Sequence, residues 1–157
     1  MQIIRDRRIV NDEFVHVAGD AALPVDGPVI IEWTRWKSER ERLEAHEGAV
    51  GVRLSIELHT RELLDDLPHL AVVAVEFPSF TDGRGYSIAR TLRDRHGYVG
   101  ELRAVGDVLR DQLFYMERCG FNAFELAAGK NMESALEAFG EYTVAYRRDA
   151  HRIRPVS

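Results

Sequence analysis

Five strand-like runs alternate with helical or loop segments through the central part of the chain. The predicted strands end near Trp33, Leu54, Phe77, Ala104 and Ala127, at intervals of 21, 23, 27 and 23 residues. Strands that alternate with helices at this pitch are typical of βα units, in which the strands pair in parallel through right-handed crossovers. The third run, LAVVAVEF, is continuously apolar, as expected of a strand buried on both faces.

Five units are too few for an eight-fold barrel. The sequence therefore predicts an α/β fold with a mostly parallel sheet of about five βα units, arranged as a flavodoxin-like three-layer sandwich. The alternative is a partial TIM-barrel-like curved sheet. At the N-terminus QIIR and EFVHV flank the polar stretch DRRIVND, which predicts a β-hairpin with its turn in that stretch. We predict a single domain over residues 1–157, comprising an N-terminal hairpin and connection (1–27), a βα core (28–146) and a basic C-terminal tail (147–157).

Composition narrows the class of protein. A net charge of −5 argues against general nucleic-acid binding, which usually needs a basic surface. No apolar stretch approaches the ~20 residues needed to cross a bilayer, and the N-terminus lacks the apolar region of a signal peptide. The single cysteine cannot form an internal disulfide. A cytoplasmic protein that binds neither membrane nor nucleic acid is predicted.

The longest loop at a predicted strand end, Glu76 to Ser87, leads into a predicted helix through the stretch DGRGYSIA, residues 82–89. It offers the G-x-G of a dinucleotide loop, but Ile88 stands where the third glycine belongs, and the strand ends six residues before Gly83. It also resembles a nucleophile elbow, but Ala89 replaces the second glycine of that motif. No G-x-x-x-x-G-K-[ST] stretch occurs. These comparisons argue against a nucleotide loop and against a serine nucleophile.

A more general anion site is consistent with the same stretch. In open parallel sheets ligands bind beyond the carboxyl ends of the strands, where backbone N–H groups and the helix dipole favour an anion. The predicted ligand-binding residues are Gly83, Arg84, Gly85, Ser87, Arg103 and Lys130. Each of these residues also has a structural alternative. The stretch DGRG can simply form a tight turn, and Arg103 can form an ion pair with Glu76, Glu101 or Asp107. Lys130 and Asn131 can serve in helix capping.

Further roles follow from single residues. If the protein is an enzyme, Asp82 or Asp107 is the best candidate acid or base, although Asp107 is also placed to cap a helix. The six histidines are scattered, and no metal site is predicted. Trp36 and two arginines of the tail, Arg147 and Arg148, are the candidates for docking a partner. Cys119 is interpreted as a small buried hydrophobe.

The block FPSFTDGRGYSIARTLRDRHGYVGELRAVGDVLRDQLFYMERCGFNAFEL closely resembles the bacterial domain-of-unknown-function family 934. The resemblance covers roughly Pro28 to Tyr142, and the opening stretch IIRDRRIVNDEF is similar too. The resemblance implies a gene neighbourhood more than a mechanism. Such proteins are typically encoded beside sulfite reductase genes and are often described as oxidoreductases of sulfite reduction. The resemblance supplies no catalytic residues.

The resemblance and the residues together predict an accessory protein of assimilatory sulfite reduction that binds a small oxyanion or anionic metabolite. One alternative is a non-enzymatic adaptor that docks on sulfite reductase or its electron donor. A second is a flavin-dependent oxidoreductase, because flavin sites on flavodoxin-like folds have no fingerprint as rigid as G-x-G-x-x-G. No cofactor motif is visible, so the cofactor and the question of enzymatic activity stay open. A homodimer is expected from its frequency among small proteins.

Overall fold

A computed structural model describes residues 1–79 and 83–139 of the chain. Its strands are β1 (Gln2–Arg5), β2 (Arg8–Asn11), β3 (Val15–His16), β4 (Val29–Glu32), β5 (Val50–Ser55), β6 (Val72–Phe77), β7 (Glu101–Gly106) and β8 (Ala123–Phe124). Its helices are α1 (Trp33–Ser38), α2 (Arg40–Glu44), α3 (Arg84–Asp94), α4 (Leu113–Cys119) and α5 (residues 132–139). Short 3₁₀ helices occupy Thr60–Leu63, Leu67–His69 and Arg110–Gln112. All the strands join one sheet in the order β2-β1-β8-β7-β6-β5-β4-β3.

Most of the predicted strand ends agree with the structure. The ends of β4, β5, β6 and β7 lie within two residues of the predicted positions. The last strand, β8, ends at Phe124, three residues before the predicted end at Ala127. The apolar runs of the sequence therefore locate the strands, but they carry no information on the order of the strands in the sheet.

The predicted flavodoxin-like sandwich is wrong, because the sheet is mixed and curls into a half-barrel. Strands β3 to β8 are parallel, and each pairs with the next strand in the chain. Right-handed crossovers between successive neighbours place every connection on the same face of a sheet. A three-layer sandwich needs helices on both faces and hence a reversal of strand order, which these six strands do not show. The alternative of a curved sheet anticipated the curvature, but not the antiparallel pairing of β1 with β2 and β8.

The two faces of the sheet are packed differently, because side chains alternate along each strand. One face packs against the helices, and the main core joins its strand residues to buried helix residues such as Leu92 of α3 and Met116 of α4. The other face, called the inner face below, carries a separate small cluster, to which no helix within residues 1–79 and 83–139 contributes. That cluster consists of Ile30, Val72, Ala74 and Val105.

The chain passes from one edge of the sheet to the other in three residues. β2 and β3 are the edge strands, and only residues 12–14, called the N-terminal strap below, connect them. The edges of a flat eight-stranded sheet would lie about 34 Å apart, whereas four residue steps span at most about 14 Å. The sheet must therefore curl, with the strap across its concave side. Phe14 of the strap packs on the inner-face cluster, which identifies the inner face as the concave one.

The N-terminal hairpin turns earlier than the sequence predicts. Its turn consists of Asp6 and Arg7, at φ 52° and 62°, and the stretch RIVN that follows is not a turn but β2 itself. Two successive residues at positive φ are typical of the two-residue turns whose twist matches antiparallel strands. The predicted second strand, EFVHV, contributes only β3, which pairs in parallel with β4 at the opposite edge.

Candidate functional site

The predicted anion-binding residues of the DGRG stretch lie at the beginning of α3. Gly83 is the N-cap, Arg84 is the first helical residue, and the first turn contains no acidic side chain. Ser87 does not cap the helix: it lies within it, and its hydroxyl donates back to the Gly83 carbonyl at 3.3 Å. Asp82 lies outside the described residues. The two glycines and Arg84 are thus close together, where a helix dipole favours negative charge.

Gly85 has a packing explanation of its own. It is buried, and a Cβ at this position would overlap the ring of Phe77 at the end of β6. The absence of a side chain lets the first turn of α3 lie directly on that ring. The glycine therefore fixes how α3 meets the sheet, independently of any ligand.

Arg84 and Ser87 line an open cleft of about 380 Å³, called the α3 cleft below. One wall is α3, which also contributes Thr91 and Arg95, and the other is the segment of residues 56–60 that follows β5. Among the described residues, the charged side chains of the lining are two arginines and the carboxylate of Glu57, with His59 beside them. A cleft in which guanidinium groups outnumber carboxylates favours a small anion.

Arg103 and Lys130 do not join this cleft. Arg103 is fully buried and points to the inner face. Lys130 is exposed in the turn before α5, and its backbone N–H donates to the carbonyl of Ala127. Its neighbour Asn131 caps α5, because the side-chain oxygen accepts the N–H of Ser134 at 2.8 Å. Whether Arg84, Arg103 and Lys130 share one pocket was an open question from the sequence, and in the structure they do not line a common one.

Arg103 is the centre of a buried ion cluster. Its Nη1 donates to Asp12 of the strap and to Glu125, both at 2.7 Å, and its Nε donates to Glu101 at 2.7 Å. Nη2 donates to the other oxygen of Asp12 at 3.0 Å, and the ring of Phe14 lies 5.6 Å from the guanidinium carbon. Of the structural partners that the sequence suggested, Glu101 is confirmed. The cluster fastens the strap to the sheet, since a charge buried at this depth needs paired carboxylates.

His16 extends the cluster across the inner face. Its Nε2 lies 2.7 Å from an oxygen of Glu125, and its Nδ1 lies 3.4 Å from Arg53, which is also paired with Glu32. Asp12, His16 and Glu125 present ligand-type atoms within 4.8 Å of one another. The oxygens that face Arg103 already accept its hydrogen bonds, so the structure shows this trio as part of an ion-pair network.

Charge pairing sets the proton affinity of this cluster. Burial alone would raise the pKa of Asp12, but hydrogen bonds from Arg103 and the Phe14 amide outweigh it, and the pKa lies below its ordinary value. Burial would likewise raise the pKa of Glu125, but hydrogen bonds from His16 and Arg103 outweigh it. The pKa of Glu125 therefore also lies below its ordinary value. The pKa of Arg103 is raised: burial lowers it, but the surrounding carboxylates have the larger combined effect. All three groups are therefore held in their charged forms.

Acid is expected to destabilise the protein through these carboxylates. The unfolded chain protonates them at about pH 4 and the folded chain only at lower pH, so acid favours the unfolded state. The stabilisation is complete above about pH 5 and is lost as the pH falls through the lowered folded pKa values. Denaturant unfolding measured across this range should show a shallower pH dependence for the double variant Asp12→Asn/Glu125→Gln. The exposed-site control Glu41→Gln should keep the wild-type dependence, and equal slopes for all three proteins would contradict the assignment.

The remaining predicted residues are dispersed. Asp107 follows β7, where its N–H donates to the Phe77 carbonyl, but the next helical segment begins only at Arg110, so the predicted capping role is wrong. Its acid–base role stays a prediction.

Trp36 is 1% exposed, which does not agree with docking a partner. Cys119 is buried, as predicted, and accepts a hydrogen bond from Arg90. Arg147 and Arg148 lie outside the described residues.

The fold and the site define an α/β half-barrel whose inner face is occupied by an ion cluster and whose strand ends carry open clefts. The chain belongs to the family of bacterial proteins of unknown function DUF934, whose family model matches residues 51–157. This match confirms the resemblance found in the sequence. Comparison with curated proteins and with solved structures found no similar protein. Among residues 1–79 and 83–139, no helix has the length and apolar character to span a membrane.

Proposed function

We propose that this protein binds a small oxyanion or anionic metabolite in the α3 cleft, as a cytoplasmic accessory protein of assimilatory sulfite reduction. The observation that carries the binding role is the pair Arg84 and Arg95, which line one cleft at the beginning and end of α3. The sulfite-reduction context is supported only by what the resemblance implies, and it determines which anions are tested first.

Three features of the α3 cleft support an anionic ligand. The helix has 11 residues, long enough to present a dipole at its N-terminus, and its first turn contains no carboxylate to satisfy that end. The hydroxyl of Thr60 lines the same cleft and can donate to an oxyanion. The cleft also follows the carboxyl ends of β5 and β6, the edge at which parallel sheets bind ligands.

Arg84→Ala is expected to weaken the binding of sulfite, sulfate or phosphate by roughly tenfold or more, because a hydrogen bond to a charged group contributes about 1.5–3 kcal/mol. Calorimetric titration of the wild type and the variant measures the change. Arg42→Ala is the matched control, since this exposed arginine of α2 pairs with Glu39 and does not line the α3 cleft. Equal anion affinity of the wild type and Arg84→Ala would exclude the α3 cleft as the anion site.

The same preparations test the two alternatives. A thermal shift with flavin nucleotides, together with visible absorbance after flavin is added, would favour the flavin-dependent oxidoreductase. Co-purification with sulfite reductase that survives Arg84→Ala but is lost when the basic tail is removed would favour the adaptor. Neither result is expected if the protein works as an anion-binding accessory protein alone.

A further inference from the structure

The two arginines of the α3 cleft lie far apart along one stripe of α3. Arg84 begins the helix and Arg95 is its C-cap, and Ile88 and Thr91 line the cleft between them at helical spacing. The helix has 11 residues, and the distance from its first residue to its C-cap is about 16 Å along the axis. Long side chains on a helix lean toward its N-terminus, so both guanidinium groups are displaced in the same direction and stay about as far apart. The cleft therefore has two separate positive groups.

A small oxyanion contacts only one of these arginines at a time. Sulfite, sulfate and phosphate hold their oxygens around one central atom, and a charge-assisted hydrogen bond from a guanidinium adds about 2.8 Å. Together these lengths fall well short of the distance between the ends of the helix, which is about 16 Å. An ion held at Arg84 therefore makes no use of the charge of Arg95.

The two ends of the α3 cleft differ in their electrostatic character. At Arg84 the N-terminus of the helix adds its favourable dipole to the charge of the guanidinium. At Arg95 the helix presents the negative end of the same dipole, which the charge of this arginine has to offset before an anionic group is attracted. A ligand with one anionic group therefore prefers the Arg84 end, and only a ligand with a second anionic group uses Arg95.

The wall between the two arginines suits an uncharged, partly apolar body. The α3 residues that line the cleft there are uncharged, namely Ser87, Ile88 and Thr91. The facing segment adds the apolar side chains of Ile56 and Leu58. The volume of about 380 Å³ is in the range of sites that bind organic molecules, and it exceeds what a single small ion needs.

We infer that the α3 cleft binds an elongated molecule with an anionic group at each end and an uncharged, partly apolar body between them. Arg84 and the helix N-terminus hold one anionic group, and Arg95 holds the other. This inference rests on the proposed function and specifies its ligand class: an anionic metabolite of this shape uses the whole cleft, whereas a small oxyanion occupies only the Arg84 end.

Dodecanedioate is a suitable probe, because it carries a carboxylate at each end of a chain whose extended length is comparable to the separation of the two arginines. Calorimetric titration compares it with dodecanoate, which has the same chain and one carboxylate, and with succinate, whose two carboxylates are too close together to span the cleft. The wild type is expected to bind dodecanedioate more tightly than either of the other two. Binding of dodecanedioate that is no tighter than that of dodecanoate would overturn the inference.

Arg95→Ala is expected to weaken dodecanedioate binding about two- to fivefold, as for the loss of an exposed ion pair, and to leave the binding of dodecanoate and sulfate unchanged. Arg95→Lys keeps the charge and should retain most of the wild-type affinity. Arg42→Ala is again the matched control, since this arginine does not line the α3 cleft, and it should leave the binding of all three probes unchanged.

The two arginine variants separate this inference from the proposed function. Sulfate binding that is lost in Arg84→Ala, with dodecanedioate binding unchanged in Arg95→Ala, would overturn the two-headed ligand and leave the anion site intact. Equal weakening of dodecanoate and dodecanedioate by Arg95→Ala would also overturn it, because the effect would then not depend on a second anionic group. Sulfate binding that Arg84→Ala does not weaken would instead contradict the proposed function, and this inference with it.

Discussion

Replacing Arg103 with alanine is expected to lower the free energy of unfolding by about 3–5 kcal/mol, the cost of leaving buried carboxylates without their counter-charge. The guanidinium is fully buried, and four of its hydrogen bonds go to Asp12, Glu101 and Glu125. Without it the strap loses its main attachment to the sheet. Denaturant unfolding followed by circular dichroism measures the loss.

Two further variants make this expectation specific. Arg103→Lys keeps the charge but lacks the planar fork, so it should lie between the wild type and Arg103→Ala. A double-mutant cycle between Arg103→Lys and Asp12→Asn should give a coupling energy of at least about 0.5 kcal/mol, as for residues of one network. A loss below about 1 kcal/mol for Arg103→Ala would resemble an exposed ion pair and would contradict a fastening role.

Gly106→Ala is expected to destabilise the protein by roughly 2–5 kcal/mol, for two independent reasons. Gly106 ends β7 at φ +88°, which side-chain-bearing residues rarely adopt, and a Cβ there would lie 2.5 Å from the Phe77 carbonyl oxygen. The backbone of β6 cannot move aside without breaking its pairing with β7. Thermal or denaturant unfolding measures the effect.

The chain offers a matched control for this substitution. Gly129 follows the last strand in the similar stretch ELAAGKN and has φ +80°, but nothing lies within 4 Å of a Cβ placed on it. Gly129→Ala should therefore cost only the conformational strain, about 1–2 kcal/mol. Similar losses for the two alanine variants would mean that strain alone, and not the close approach to Phe77, decides the outcome at Gly106.

The positions of the parallel strands could be predicted from the sequence because apolar runs bounded by glycine and polar residues are local signals. Gly106 is an example: it follows the run ELRAV directly, and its φ is positive where β7 ends. The order of the strands is not a local property. The order depends on which strands pair with one another. A regular spacing of the strand ends along the chain is compatible with both a sandwich and a barrel-like sheet.

The sequence contains a pattern that indicates the polar inner face, but the prediction of a three-layer sandwich did not use it. Arg53 in VGVRLS and Arg103 in ELRAVG interrupt runs that should be continuously apolar in a sheet covered on both faces. Charges at these strand positions indicate a face that the helices of the described residues do not cover. The partners of Arg103 were harder to find, since Asp12 lies 91 positions away and reaches it only through the strap.

The residues of the candidate site were also difficult to predict wherever their surroundings depend on distant parts of the chain. Arg84 and Ser87 share a cleft because both lie on α3, which begins at Arg84 and therefore includes residues that were predicted to belong to the loop. Trp36 was interpreted as a docking residue from its position beside a loop, but the amphipathic face of α1 turns it into the core.

The N-terminal strap also has a consequence for the order in which the chain folds. Early residues of the chain contact residues of its second half: Asp12 contacts Arg103, Arg5 contacts Glu101, and the pair Arg7 and Glu117 is 110 positions apart. During synthesis these first residues emerge before any of their partners exists. They can dock only after β7 and β8 have been synthesised, so this early segment joins the sheet late.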